Sequence, residues 1–186
     1  MEKATLKPFL RENLDILFVG LNPARISNMK GHYFSVKQSF WKQLYQGGLI
    51  IEDVNKDYAD DLIFGSNQFN FNQWNYGITD LVTRIAESNS TKVEPTIADC
   101  KALQDVILQY KPLAVVILHS KVLKEFVSSF IGARRYPSNS GKMGRLLKGC
   151  NSVFYNIAFP HGNGISDVDK IKRYQELKND ILEMKK

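Results

Sequence analysis

Asp15-Ile16-Leu17-Phe18-Val19-Gly20-Leu21-Asn22-Pro23 is the stretch on which the fold turns. Its apolar run, Ile16–Gly20, shows no polar alternation, the pattern of a short strand covered on both faces. It breaks at a Gly-Leu-Asn-Pro turn, where proline stiffens the chain. Residues 113–118 and 152–158 read as two more buried strands. Residues 76–81 form a weaker fourth.

Helical patterns separate these strands. Phe40, Trp41, Leu44 and Tyr45 fall on one stripe that stops at Gly47-Gly48. Ile97, Cys100, Leu103, Ile107 and Tyr110 follow Thr96, a natural N-cap. Val122, Leu123, Phe126, Val127 and Phe130 form a stripe closed by Gly132. Ile171, Tyr174, Ile181 and Leu182 mark a last helix opening near Ser166. Strands alternating with helices imply parallel pairing. The expected fold is α/β, a three-layer α/β/α sandwich around a small, mainly parallel central sheet. The 186 residues suit one domain, and the polar run 87–95 reads as a surface loop within it.

Composition excludes some classes. No stretch approaches the roughly 18 apolar residues of a membrane span, and residues 1–10 lack the apolar run of a signal peptide. A cytoplasmic location and a monomer are the default expectations. The formal charge of +6 permits a polyanionic partner without requiring one. Cys100 and Cys150 form no zinc or redox motif. His32, His119 and His161 are scattered, so neither a metal nor a cofactor is expected.

In an open parallel sheet, ligands bind beyond the carboxyl ends of the strands. That rule selects the loops after Gly20, Leu81, Leu118 and Ala158. In the first, Gly20 lets the backbone approach a ligand, and Asn22 offers an amide with no titratable proton. Taken alone, the loop reads slightly more as a plain strand-to-helix turn with Asn22 as a turn residue.

The segment beyond it adds specificity. Residues 15–23 continue to Lys30-Gly31-His32-Tyr33-Phe34 and then to Ser39-Phe40-Trp41-Lys42-Gln43-Leu44-Tyr45-Gln46-Gly47-Gly48-Leu49. This order and spacing resemble the mismatch-specific uracil-DNA and thymine-DNA glycosylases of the uracil-DNA glycosylase superfamily. Tyr76-Gly77-Ile78-Thr79-Asp80-Leu81-Val82-Thr83-Arg84 resembles that family's next segment, and a thinner similarity runs to the last strand. The resemblance implies that Asn22 holds the attacking water, that Gly20 and Leu21 contact the base through backbone, and that Phe34 stacks on it. Core packing is the alternative for Phe34. The implied partner is double-stranded DNA carrying a damaged or mismatched base, extruded because chemistry on a stacked base is sterically blocked.

The last loop departs from the family pattern. Phe159-Pro160-His161-Gly162-Asn163-Gly164-Ile165-Ser166 stands where the family carries its minor-groove wedge. Pro160, Gly162, Asn163, Ile165 and Ser166 are its candidate DNA contacts, with Asn163 or Ile165 as the wedge. His161 is read either as a donor to phosphate or leaving base, or as a brace of the loop; His119 is read as structural. Lys30, His32, Arg134, Arg135 and Lys142 are the candidate phosphate contacts, the last three in a basic segment that reads equally as a solvated loop. Asn22 cannot act as a base near neutral pH and no acid adjoins it, so modest turnover is expected, on uracil before thymine and without strand cleavage. Two rival readings remain: a lesion-binding protein without catalysis, and an α/β enzyme acting on free nucleotides.

Overall fold

The computed structural model describes residues 1–132 and 135–186. Strand β1 (Glu2–Lys3) precedes the buried strand β2 (Ile16–Gly20). Helices α1 (Arg25–Lys30), α2 (Ser39–Gln46) and α3 (Ala59–Ile63) follow, then β3 (Tyr76–Asp80) and β4 (Ile85–Ala86). The chain continues through α4 (Ile97–Tyr110), β5 (Ala114–Ile117) and α5 (Ser120–Ile131). It ends with β6 (Gly141–Arg145), β7 (Val153–Asn156) and α6 (Asp167–Met184).

The main sheet has the order β3-β2-β5-β7-β6. Its first four strands are parallel, and β6 runs antiparallel at the edge. All four parallel strands lie within the runs read from the sequence. Each is fully buried because each face has its own apolar layer. Ile16, Phe18, Ile78, Val116 and Tyr155 join one core with Trp41 and Leu44 of α2 and Tyr174 and Leu177 of α6. Leu17, Val19, Val115, Ile117 and Phe154 join the other with Leu103 of α4 and Phe126 of α5. Each such side chain, fully removed from water, contributes about 1.5–3 kcal/mol. The result is the three-layer α/β/α arrangement.

Local signals explain the helix ends. Thr96 caps α4 through a capping box with Asp99. Ser166 caps α6 by accepting from the Asp169 amide. Asp15 anchors the start of β2, accepting from the Asn75 amide at 2.7 Å and facing Lys185, beyond the end of α6, at 2.6 Å.

Three expectations need correction. The segment from Lys142 is not simply a loop: Gly141–Arg145 pairs with β7, and its glycines and charges gave no strand signal. Tyr45 is exposed, and Gln43 takes the buried position on α2. Gln43 Nε2 donates there to the Pro160 carbonyl and to Asp167, both at 2.9 Å, which offsets part of the cost of burying an amide, while its Oε1 has no partner among the described residues. The run 87–95 does not lie wholly on the surface, since Glu87 is buried.

Candidate active site

The carboxyl ends of β2, β3, β5 and β7 open into a cleft of about 620 Å³, a size typical of small-ligand sites. Gly20, Asn22, Phe34, Asp80, His119 and His161 all line it. The loop after β2, the loop carrying Phe34 and the loop after β7 therefore converge on one volume, as sheet topology requires.

Asn22 is held by its own amide. Its Nδ2 donates to the Pro23 carbonyl and to the Glu87 carbonyl, each at 2.9 Å. With both donor hydrogens engaged, the carbonyl oxygen is the polar atom left for a ligand or water. Phe34 sits at φ 50°, a left-handed conformation that costs a bulky residue about 1–2 kcal/mol. Its ring stacks on Phe40 with centroids 4.0 Å apart, and its carbonyl accepts from the Trp41 indole. Strain of this kind persists where surrounding packing over-determines it, often at a binding site.

Asp80 was missed by sequence reading. In register it is the parallel neighbour of Gly20. A Cβ built on Gly20 would meet the Asp80 Oδ1 at 2.3 Å, so the glycine is there to admit the carboxyl. The φ of Gly20 is not in the left-handed region, and conformational freedom is not its purpose. Asp80 Oδ2 is buried and has no hydrogen-bond partner among the described residues. Burial raises its pKa to about 7, and the Tyr33 hydroxyl beside it acts in the opposite direction. An acid held near neutrality in a cleft is a candidate functional group. The only sequence signal was an aspartate ending an apolar strand at a carboxyl edge.

The surroundings of the two cleft histidines favour their neutral form. Burial lowers the pKa of His119, helped by Lys121. Its Nδ1 accepts from the Lys121 amide at 3.1 Å, which caps α5 and leaves the proton on Nε2. Burial also lowers the pKa of His161, with Lys37 and Lys170 adding to it. Both rings meet Phe159 edge-on, at 6.0 and 5.0 Å.

In the last loop, Gly162 has φ 75°. Asn163 donates to the Phe159 carbonyl at 2.8 Å and accepts from the Ile165 amide at 3.2 Å. Asn163 thus braces the loop, while Ile165 is half-buried and engages no polar group through its side chain. Ser166 is the cap of α6. The Pro160 carbonyl is clamped by Gln43 and by buried Lys170, the latter at 3.3 Å.

The basic candidates are dispersed. Lys30 faces Asp57 at 3.3 Å. His32 faces buried Asp60 at 2.9 Å. Lys142 faces Asp180 at 3.2 Å and does not line the cleft. Arg135 is exposed, three residues before cleft-lining Ser138. Arg134 lies outside the described residues. Exposed Lys37, not singled out from sequence, does line the cleft.

Asp60 and Asp61 bring donor atoms within 4.8 Å of His32. Asp60 already accepts from the Tyr33 amide at 2.7 Å and from the Asp61 amide at 3.0 Å. The trio reads as a brace beneath Tyr33 and Phe34. Among the described residues, no helix is long and apolar enough to cross a membrane.

The family described as the Uracil DNA glycosylase superfamily matches residues 8–183. The chain is also 25% identical over 131 residues to the G/U mismatch-specific uracil DNA glycosylase of Schizosaccharomyces pombe. That alignment covers 69% of this chain and 38% of the relative.

Proposed function

Because the chain belongs to the Uracil DNA glycosylase superfamily, we propose that it is a DNA glycosylase hydrolysing the N-glycosidic bond of uracil in double-stranded DNA. The observation that carries this reading is the convergence of Asn22, Phe34 and the buried carboxyl of Asp80 on one cleft.

The base enters the cleft from the duplex, at an unpairing cost that is least for mismatches. Phe34 offers it a stacking face. Water sits on the Asn22 carbonyl oxygen, and Asp80, the direct register neighbour of Gly20, takes its proton. The water oxygen bonds to C1′ as the C1′–N bond breaks, and the electron pair leaves with the base. The sugar is oxocarbenium-like in the transition state. The Leu21 backbone amide and the neutral imidazoles of His119 and His161 supply preorganised donors toward the base anion. Uracil leaves more easily than thymine, which ranks the substrates. Asp80 supplies the acid absent beside Asn22 and removes the reason for expecting slow turnover. Position 22 is an asparagine and not a lysine, consistent with a monofunctional enzyme.

Duplexes with a single uracil, thymine or hypoxanthine opposite guanine, followed by alkaline cleavage at abasic sites, test the proposal. Strand breaks at uracil support it. Binding without breaks favours a lesion-binding protein, and the absence of both binding and breaks favours a small-molecule enzyme.

A further inference from the structure

Glu87 stands at the end of a run that reads as solvated, yet its side chain is only 6% exposed. Its carboxylate is fully engaged. Oε2 accepts from the Arg25 guanidinium at 2.9 Å, and Oε1 accepts from the Asn89 amide at 2.9 Å. These bonds, the Asn89 amide first and Arg25 after it, hold its pKa below the ordinary carboxylate range.

The backbone on both sides is tied to the Asn22 loop. The Glu87 amide donates to the Pro23 carbonyl at 3.0 Å, and the Glu87 carbonyl accepts from Asn22 Nδ2 at 2.9 Å. The Arg25 amide donates to Ser88 Oγ at 3.2 Å. Two loops from different strands, residues 22–25 and 87–89, are thereby joined by four contacts, and a fifth, from the Asn89 amide, fixes the Glu87 carboxylate within its own loop.

We propose that Glu87, paired with Arg25, is a positioning residue: it latches the two loops so that the Asn22 amide is fixed with its carbonyl oxygen free for water. The proposal rests on the glycosylase reading, but the latch itself does not. An asparagine amide rotates freely about its last bond and presents donor or acceptor with similar ease. Two carbonyls, from Pro23 and Glu87, select one orientation. The Pro23 carbonyl belongs to the same turn and moves with it. The Glu87 carbonyl comes from the far loop, so the orientation depends on that loop staying in place. A buried carboxylate with two charge-assisted partners is a strong local anchor.

The test joins kinetics to a direct view of the amide. Glu87→Ala lowers the single-turnover rate on a uracil–guanine duplex about 10- to 100-fold, as expected for a misplaced reacting group. The DNA concentration for half-maximal rate stays within about twofold, because the base still stacks and binds. Glu87→Gln retains an acceptor for the Asn89 amide and falls between wild type and alanine. Arg25→Gln matches Glu87→Gln. In an Asn22→Ala background, Glu87→Ala adds no further loss, since residues that act as one unit are not additive.

The Asn22 side-chain NH₂ protons, assigned by their disappearance in Asn22→Ala, exchange slowly with water in wild type. In Glu87→Ala they exchange fast, while the melting transition stays cooperative. Full rate in Glu87→Ala, an additive loss in the Asn22→Ala background, or unchanged amide exchange overturns the latch. An inactive wild type whose Asn22 amide responds to Glu87→Ala leaves the latch standing and overturns the glycosylase reading.

Discussion

Replacing Asp80 by asparagine separates its chemistry from its packing. The side chain keeps its shape beside Gly20 and loses its charge. In the wild type the folded carboxyl holds its proton up to about pH 7, whereas the unfolded chain releases it near 3.8. The base form is then about one part in eleven at pH 6 and ten in eleven at pH 8. With chemistry rate-limiting, excision rises about tenfold across that interval. Stability moves the other way. Between the two pKa values the folded protein binds the extra proton, so stability falls as pH rises through the window. Three units at about 1.4 kcal/mol each place the loss near 4 kcal/mol by pH 8. Asp80→Asn escapes that loss. Its excision rate is low and flat with pH, and its stability relative to wild type grows by up to about 4 kcal/mol from pH 4 to pH 8. Single-turnover excision and urea unfolding across this range measure both. The difference between the two proteins cancels His119, His161, Glu87 and Tyr33, which share the cleft. A wild-type rate that changes less than about twofold from pH 6 to pH 8 removes Asp80 as the base. A flat stability difference refutes the raised pKa on which the reasoning depends.

Gly20→Ala places a methyl 2.3 Å from Asp80 Oδ1, so the carboxyl must move. The variant is destabilised by about 1–3 kcal/mol and loses the pH-dependent part of excision; thermal melting with a pH–rate profile checks both, and a wild-type profile counts against the glycine's stated purpose. Lys37→Ala reduces the slope of log affinity against log salt by about one, the loss of one phosphate contact. Lys142→Ala leaves the slope unchanged because its ammonium faces Asp180. Equal slopes for the two variants contradict the assignment of the cleft mouth as the DNA footprint.

Much of the architecture was legible because periodicity reports burial directly. The parallel strands β2, β3, β5 and β7 are apolar runs, and Thr96, Gly132 and Ser166 are punctuation with local geometry. Strand β6 was not legible: Gly-Lys-Met-Gly-Arg has no apolar pattern and pairs only because β7 offers an open edge. Asn22 and Phe34 were singled out within one contiguous segment, and the cleft does include both.

The sequence by itself determined the four parallel strands of the sheet, its helical layers and the loop on which the site was expected. Those follow from local interactions and from the need to bury apolar faces. Only the tertiary structure decided what surrounds Asn22. Asp80 is 58 residues away in the chain and meets Gly20 through parallel register. Glu87 is 65 residues away and reaches Asn22 through a backbone carbonyl. A carboxylate's environment sets its charge and its partners, and that environment is assembled from distant segments. An aspartate and a glutamate that read as ordinary polar residues became a poised acid and an anchored latch only when the chain closed around them.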